Sequence, residues 1–251
     1  MSVTVIKLGG NIFQGEVLAA VCADVATITG RGDRVVMVHG GGPQATAMQK
    51  RLGLEPNIVA GRRITDADTL EVMKMVVGGR LNMDLCAALT SAGARGVGLT
   101  GASSQAVRAV KRPPRVVAGG GDEPIDFGWV GDVEGVNHEL LECLLEGGYV
   151  PVLACLGGDD DGQVFNINGD VVANYVASAL RAAHLVLVTS VPGVLRDVED
   201  PASRIRTITP SEAASAIADG TIAGGMIPKV QNALGAIDRG VGKMHIIDGR
   251  V

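Results

Sequence analysis

Two short apolar segments, each ended by glycines, constrain the fold of this chain more than any other feature. The first is Val3–Leu8, which two glycines follow, and the second is residues 35–38, which His39 and three glycines follow. Both segments predict buried parallel strands that stop where the glycines begin. An open α/β sheet binds its ligand at the carboxyl ends of its strands, and glycine lets backbone N–H groups approach a phosphate. The two turns therefore predict phosphate binding in a cleft.

The apolar period of the remaining sequence switches repeatedly between that of helices and that of strands. This alternation predicts an α/β fold, an open αβα sandwich with a mostly parallel central sheet and two lobes, residues 1–165 and 166–251, that share the sheet. Residues 105–117, split by residues 111–114, predict a β-hairpin or a pair of edge strands. Helices are predicted at residues 16–28, 136–146, 166–180, 211–218 and 225–237, and further strands at residues 96–99, 129–133, 149–155, 185–188 and 243–247.

A long helix is predicted to begin near Thr65. Thr65 and Asp68 have the spacing of a capping box with Asp in place of the usual Glu. The apolar residues that follow at helical spacing are expected to face the core: Leu70, Met73, Val77, Leu81 and Leu85.

The composition argues against several classes of function. Aromatic residues make up 2% of the chain and the net charge is -5, which disfavours stacking on nucleic-acid bases and binding to a phosphate backbone. The sequence has no apolar run of membrane-spanning length, and its first residues, which lack a basic segment, lead us to expect no signal peptide. The four cysteines are scattered in apolar runs, which predicts buried thiols in a reduced, cytoplasmic protein.

Lys7 lies inside the first apolar strand, directly before its glycines. Burying an ammonium group there is costly unless an anion lies close by, and the glycine turn favours a phosphate as that anion. The alternative is a lysine on an edge strand that points to water.

Two more features of the amino-terminal half favour anion binding. Gly40–42 exceed what a tight turn needs, and the following helix points its N-terminal dipole at the same place. Arg63 either pairs with a substrate carboxylate or is one of two solvated arginines beside the helix cap. His39 is predicted to be structural.

In the carboxyl-terminal half, polar residues cluster at two predicted helix starts. Asn166, Asn168 and Asp170 either organise a polar site or only cap their helix. Lys229 lies near the start of another helix, where it opposes the helix dipole unless an anion is near, although a surface lysine is a common outcome. Neither the Walker A nor the Rossmann glycine pattern occurs, and no metal-ligand cluster is evident.

Taken in order, these segments resemble the amino acid kinase family over nearly the whole chain. Any one of them is modest support, whereas the ordered set is specific. The motifs that carry the resemblance are residues 7–10, 39–43, 61–66, 126–132, 148–152, 166–170, 191–193 and 225–229.

The resemblance implies an enzyme that transfers the γ-phosphoryl group of ATP, bound with Mg²⁺, to the side-chain carboxylate of N-acetyl-L-glutamate in arginine biosynthesis. It also implies a homodimer, with the acyl amino acid in the amino-terminal lobe and ATP in the carboxyl-terminal lobe. The implied catalytic residues are Lys7, Lys229 and Asp170, the implied substrate-binding residues are Gly41, Gly42, Arg63 and Asn166, and the implied nucleotide-binding residues are Gly9, Gly10, Thr189, Ser190, Gly193, Gly225 and Met226.

Each implied residue has a role in this scheme. Lys7 and Lys229 neutralise the migrating phosphoryl group, and Asp170 holds both lysines. The glycines offer N–H groups to phosphate and substrate carboxylate. Arg63 and Asn166 bind the α-carboxylate and the amide end of the substrate.

Three positions depart from the family's usual pattern: Arg62 replaces a leucine, Gly169 an alanine and Ser190 an aspartate. These changes concern details of ligand contact and leave the class of enzyme unchanged. The chain begins directly with a strand and stops at residues 248–251, without the extensions that resemble those of arginine-inhibited hexamers. We therefore expect a dimer that arginine does not inhibit.

Two other functions stay open. A non-catalytic amino-acid sensor on the same fold is one, although retention of both lysines and Asp170 argues against it. The other is a kinase for aminoadipate or glutamate bound to an acidic carrier protein, which would suit a basic surface near Arg62, Arg63, Lys111, Arg112 and Arg115.

Overall fold

A computed structural model describes residues 2–13, 15–197, 199–224 and 226–250. In chain order the strands are β1 (Val3–Leu8), β2 (Arg34–His39), β3 (Ile58–Val59), β4 (Arg62–Arg63), β5 (Gly96–Leu99), β6 (Val107–Lys111), β7 (Gly131–Val136), β8 (Val150–Ala154), β9 (Leu156–Gly158), β10 (Val164–Asn166), β11 (His184–Thr189) and β12 (Lys243–Asp248). The helices are α1 (Gly15–Gly30), α2 (Gly42–Arg51), α3 (Ala67–Met73), α4 (Asn82–Ser91), α5 (His138–Glu146), α6 (Gly169–Ala179), α7 (Pro210–Ala218) and α8 (Met226–Asp238), and the π-helical segment Lys74–Leu81 joins α3 to α4.

The central sheet has six parallel strands in the order β12-β11-β1-β2-β8-β5. This arrangement confirms the predicted mostly parallel sheet. Because β1 lies between β11 and β2, Lys7 is in register with Leu187 on one side and Val38 on the other. An edge-strand position for Lys7 is thereby excluded.

Helices cover both faces of the central sheet, which gives the predicted αβα layers. On one face Val5 packs in a buried cluster with Val172 of α6, and on the other face Ile6 packs in a cluster with Val25 of α1. Because side chains alternate along a strand, Lys7 points to the same face as Val5, toward α6.

A smaller, four-stranded sheet has the order β10-β9-β6-β7. The predicted hairpin or edge-strand pair over residues 105–117 is wrong, because β6 lies between β9 and β7 and takes β7 as its antiparallel partner. Beyond β6, Arg115 forms only an isolated bridge with Ile125. The local pattern shows two extended stretches, and it carries no sign that their partners come from later in the chain.

The long helix predicted from Thr65 is present as α3, the π-helical segment and α4, and its five predicted core residues are all buried. The predicted cap is wrong. Asp66 caps α3, since its Oδ1 accepts a hydrogen bond from Thr69 N at 2.8 Å. Thr65 is instead buried, and its hydroxyl oxygen accepts a hydrogen bond from Asn166 Nδ2 at 3.0 Å.

All four cysteines carry free thiols. Cys22 and Cys155 are buried as predicted, and burial raises the pKa of each to about 11. The prediction is wrong for Cys143, which is exposed because α5 buries Leu141 and Leu145 on its opposite side. Across the described ranges, no helix combines the length and the apolarity that crossing a membrane requires.

Candidate active site

One carboxylate holds two lysines at the carboxyl end of the central sheet. Asp170 Oδ1 lies 2.7 Å from Lys7 Nζ, and Asp170 Oδ2 lies 3.6 Å from Lys229 Nζ. The side chains of Lys7 and Asp170 are 12% and 14% exposed, and that of Lys229 is 28% exposed. The structure thus brings together the three residues predicted to be catalytic, although they come from distant parts of the chain.

Each of these three side chains is positioned by a different element. Lys7 extends from β1, Asp170 lies in the first turn of α6, and Lys229 lies in the first turn of α8. Asn168 caps α6, because its Oδ1 accepts a hydrogen bond from Asp170 N at 2.8 Å. A lysine at a helix start opposes the helix dipole, and the carboxylate of Asp170 offsets this cost for Lys229.

The cluster has a net positive charge at neutral pH. Burial raises the pKa of Asp170, but the ammonium groups of Lys7 and Lys229 lower it by more, so that it lies below its ordinary value. Asp170 is therefore ionised, and one negative charge faces two positive charges. Such a cluster suits a polyanionic ligand.

Three of the four predicted glycine N–H groups are left without a hydrogen-bond partner in the part of the chain that the structure describes. Gly10, Gly41 and Gly42 donate to no acceptor among the residues that the structure describes. The prediction is wrong for the N–H of Gly9, which donates to Val188 O at 3.1 Å because the pairing of β1 with β11 continues one residue past the strand.

Gln44, which no sequence pattern singles out, connects the two glycine turns. Its Nε2 donates to Gly10 O at 2.6 Å, so the start of α2 holds the first turn in place. A Cβ atom on Gly10 would lie 2.7 Å from Pro43 Cδ, which explains why this position is glycine. A lone glutamine in a helix start gives no sequence signal for such a contact.

Arg63 lies against α2, beside the second glycine turn. Its guanidinium donates to Gly42 O at 3.0 Å, to Thr46 Oγ1 at 2.6 Å and to Gln49 Oε1. These contacts exclude the alternative of a solvated arginine. Because a guanidinium has more N–H groups than these contacts use, it retains donors for a substrate carboxylate.

Asn166 and Arg63 belong to one wall of the cleft. Asn166 Nδ2 donates to Thr65 Oγ1, two residues beyond Arg63, and Asn166 N donates to Trp129 O at 2.9 Å. Trp129 N in turn donates to Thr65 O at 2.7 Å, which places the single tryptophan of the chain at this wall.

The predicted nucleotide-binding residues lie after β11 and at the start of α8. The hydroxyl of Thr189 lies 3.2 Å from both Val191 N and Val191 O, so it holds the turn together. Gly193 has a φ of 118°, a conformation that favours glycine. Ser190 follows β11 directly and Met226 begins α8, whereas Gly225 lies outside the described residues. Nucleotide contact by these residues stays a prediction.

The predicted basic surface is wrong in part. Arg112 is buried, and its Nε donates to Asp132 Oδ1 at 2.8 Å. Arg63 is held by α2, and Lys111 Nζ lies 3.5 Å from Asp126 Oδ2. Sequence proximity grouped these cations, but folding pairs most of them with neighbouring acceptors.

His39 is fully buried at the end of β2, in agreement with its predicted structural role. Its Nδ1 lies 2.9 Å from Gly40 O, and its Nε2 lies 3.0 Å from Asn82 Nδ2. Burial lowers the pKa of His39 to about 4, against an opposing contribution from the Gly40 carbonyl, so its imidazole is neutral at pH 7. Asn82 gave no signal in the sequence, because one amide inside a long helical pattern resembles a surface residue.

The fold and this site define a class of protein. Ammonium groups and free backbone N–H groups that converge at the end of a parallel sheet are the chemistry of phosphoryl transfer. In agreement with that class, the model of the amino acid kinase family matches residues 2–248. The chain belongs to the amino acid kinase family.

Within this family, the chain is similar to several acetylglutamate kinases. The chain is 58% identical to the acetylglutamate kinase of Sorangium cellulosum (strain So ce56) over 243 residues, which cover 97% of this chain and 86% of that protein. It is also 58% identical to the acetylglutamate kinase of Anaeromyxobacter dehalogenans (strain 2CP-C), with 100% and 93% of the two chains covered. The crystal structure of smu.665 from Streptococcus mutans UA159 is similar to this fold, with a TM-score of 0.81 and 28% sequence identity. The match covers 98% of this chain and 94% of that chain.

Proposed function

We propose that this chain uses ATP to phosphorylate the side-chain carboxylate of N-acetyl-L-glutamate, a step of arginine biosynthesis. The observation that carries the proposal is the contact of one carboxylate, Asp170, with both Lys7 and Lys229 beside free glycine N–H groups. The acetylglutamate kinases that are 55–58% identical to this chain support the choice of substrate.

The reaction is a direct phosphoryl transfer. An oxygen of the substrate carboxylate attacks the γ-phosphorus of ATP, the bond from that phosphorus to the β–γ bridging oxygen breaks, and an acyl phosphate and ADP result. A glutamate side chain has an ordinary pKa of about 4.3, so the nucleophile is already ionised at pH 7 and no general base is needed. The barrier comes from bringing a carboxylate up to a polyanion, and preorganised positive groups lower it.

The roles of the site residues follow from their positions. Lys7 and Lys229 supply positive charge to the migrating phosphoryl group, and Asp170 fixes where both ammonium groups lie. The N–H groups of Gly10, Gly41 and Gly42 donate hydrogen bonds to phosphate and carboxylate oxygens. Arg63 and Asn166 hold the α-carboxylate and the amide end of the substrate, as their shared wall of the cleft supports.

We assign the nucleotide to the side formed by the end of β11 and the start of α8. Ser190, Gly193 and Met226 lie on that side, and the end of β11 adjoins the first glycine turn because Gly9 N donates to Val188 O. Among the described residues no group of three or more His, Cys, Asp or Glu side chains is arranged to hold a metal ion, and Asp170 is engaged with the lysines. Mg²⁺ therefore enters on the phosphates, as part of the nucleotide substrate.

Two further assignments concern the whole molecule. Met75 and Met83, on the long helical segment, are 54% and 65% exposed, which supports a homodimer built on this segment. The consumption of ATP and the four free thiols support a cytoplasmic location. Residues 1–165 hold the acyl amino acid and the dimer contact, and residues 166–251 hold ATP.

Trapping of the product with hydroxylamine tests the proposed function. An acyl phosphate reacts to give a hydroxamate, so the protein with MgATP and N-acetyl-L-glutamate should yield hydroxamate and ADP in equal amounts. Glutamate, N-acetylaspartate and a carrier-bound glutamate or aminoadipate serve as alternative acceptors. Turnover only with a carrier-bound acceptor would overturn the choice of substrate, and no product with any acceptor would support a sensor.

A further inference from the structure

A buried chain of hydrogen bonds lies behind the second glycine turn. It runs from Val152 O through Asn82 and His39 to Gly40 O, with distances of 3.0, 3.0 and 2.9 Å. Asn82 is 5% exposed and His39 is fully buried. We call this set of groups the His39 chain.

The two ends of the His39 chain determine where its protons lie. Both ends are backbone carbonyl oxygens, which only accept hydrogen bonds. Asn82 must therefore present its NH₂ group to Val152 O, and the same nitrogen donates to His39 Nε2. Since Nε2 accepts, Nδ1 carries the proton and donates to Gly40 O.

This bond controls the direction of another group, because the carbonyl of Gly40 and the N–H of Gly41 belong to one peptide plane. No cis peptide bond occurs in the described residues, and in a trans peptide the C=O and N–H point in opposite directions. A histidine that holds Gly40 O toward the core therefore turns the Gly41 N–H away from the core. That N–H has no acceptor among the described residues.

We propose that His39 is a positioning residue, which aims the N–H of Gly41 at the phosphoryl-transfer site by holding the Gly40 carbonyl from behind. A run of three glycines has no side chain to stop this peptide from rotating, and glycine has more accessible backbone conformations than any other residue. The neutral imidazole supplies the missing restraint without adding charge behind an anion site. Asn82 is the second positioning residue, because its amide selects the tautomer of His39.

The inference rests on the proposed function for its kinetic test, but its first test needs no activity. Long-range ¹H–¹⁵N spectra of the imidazole nitrogens distinguish the two neutral tautomers and the charged form. At pH 7 His39 should be protonated at Nδ1 alone, and this state should persist at pH 5, with the spectrum of the exposed His138 as a comparison. A His39 ring that is protonated at Nε2, or charged at pH 7, would overturn the inference.

A matched pair of variants supplies the kinetic test. Asparagine and leucine have nearly the same shape, but only asparagine has a nitrogen close to the position of Nδ1 that can donate to Gly40 O. We expect His39→Leu to lower kcat about 10- to 100-fold, somewhat less than the loss of a whole donor, and to change KM for ATP little. His39→Asn should recover most of the lost kcat, and His138→Gln should behave like the wild type.

The outcomes separate this inference from the proposed function. If the wild type forms no acyl phosphate, the proposed function fails, and the NMR result still decides the direction of the His39 hydrogen bond. If the wild type is active and both His39 variants lose kcat equally, or neither loses any, His39 only fills space and the positioning role is refuted. Should His39→Leu fail to fold, the comparison of His39→Asn with the wild type remains, with a kcat within about threefold expected.

Discussion

Replacement of Asp170 by asparagine separates the two roles of this carboxylate. Asp170→Asn keeps the shape of the side chain and removes its charge, so the ammonium groups of Lys7 and Lys229 lose their shared counter-ion. We expect the variant to be less stable and to turn over more slowly, while its affinity for ATP is maintained.

The size of the stability loss follows from the distances between the Asp170 carboxylate and the two ammonium groups. At an effective dielectric constant of about 20, unit charges 2.7 Å apart attract by about 6 kcal/mol, and charges 3.6 Å apart by about 5 kcal/mol. The cost of burying Asp170 cancels much of this attraction. Removing one partner of a buried ion pair typically lowers the free energy of unfolding by about 3–5 kcal/mol. For Asp170→Asn we expect a loss of about 3 kcal/mol, because Lys229 is 28% exposed and can turn toward water.

Two assays check this expectation. Denaturant unfolding measures the free energy of unfolding, and MgADP should stabilise the variant at least as much as the wild type, because two uncompensated ammonium groups attract a polyphosphate. Steady-state kinetics should show kcat lowered about 100-fold, which corresponds to about 2.7 kcal/mol of transition-state stabilisation, with KM for ATP changed less than about threefold.

Glu71→Gln is the matched control. Lys74 Nζ lies 2.7 Å from Glu71 Oε1, the same distance as in the Lys7–Asp170 pair, but these side chains are 40% and 62% exposed. Loss of this exposed ion pair should lower the free energy of unfolding by at most about 1 kcal/mol and leave kcat unchanged. If Asp170→Asn has no larger effect than this control, or if it raises KM and leaves kcat intact, the argument that Asp170 orients the two lysines is refuted.

Three other predictions follow from the same geometry. Lys7→Ala and Lys229→Ala should each lower kcat about 100- to 1000-fold, whereas Lys74→Ala should not; normal turnover in either variant would exclude the assigned roles. His39 has a pKa of about 4 in the folded protein and an ordinary value when unfolded, so the unfolded state binds more protons between these values. The free energy of unfolding should therefore fall by about 2 kcal/mol more from pH 7 to pH 5 in the wild type than in His39→Asn, and parallel pH profiles would contradict this. A Cβ atom on Gly169 would lie 3.3 Å from Lys7 Cε, so in Gly169→Ala the lysine must shift by a few tenths of an ångström. We expect a rise in Tm of about 1–4 °C from the better helix former and a kcat within about threefold of the wild type, and a tenfold loss of kcat would show that Lys7 cannot adjust.

The elements of this fold could be predicted from the sequence where one local pattern decides the structure. The buried run Val3–Leu8 and the apolar stripe from Leu70 to Leu85 each have a single period, and both are present as expected. Lys7 could be identified because a lysine inside a buried strand is costly, and only a partner such as Asp170 resolves that cost.

What the sequence could not predict depends on contacts between distant residues. The pairing of β6 with β7 and the burial of Arg112 beside Asp132 follow from register and packing, which no local pattern contains. The same holds for the hydrogen bond of Gln44 to Gly10 and for those of Asn82 to His39 and Val152, which join residues far apart in the sequence. The sequence predicts Thr65 as the helix cap from its spacing to Asp68, and only the contact of Thr65 with Asn166 shows why Asp66 takes that position instead.

The order of strands in the central sheet also has a consequence for biosynthesis. β1 leaves the ribosome well before one of its two neighbours, β11, which is made only after about 10 to 30 s of further synthesis. During that interval one backbone edge of β1 has no partner, and unpaired edges recruit other chains. The arrangement that places the first and last lysines of the cleft together therefore exposes the nascent protein to aggregation, and shielding by the ribosome or a chaperone is needed until the carboxyl-terminal third has emerged.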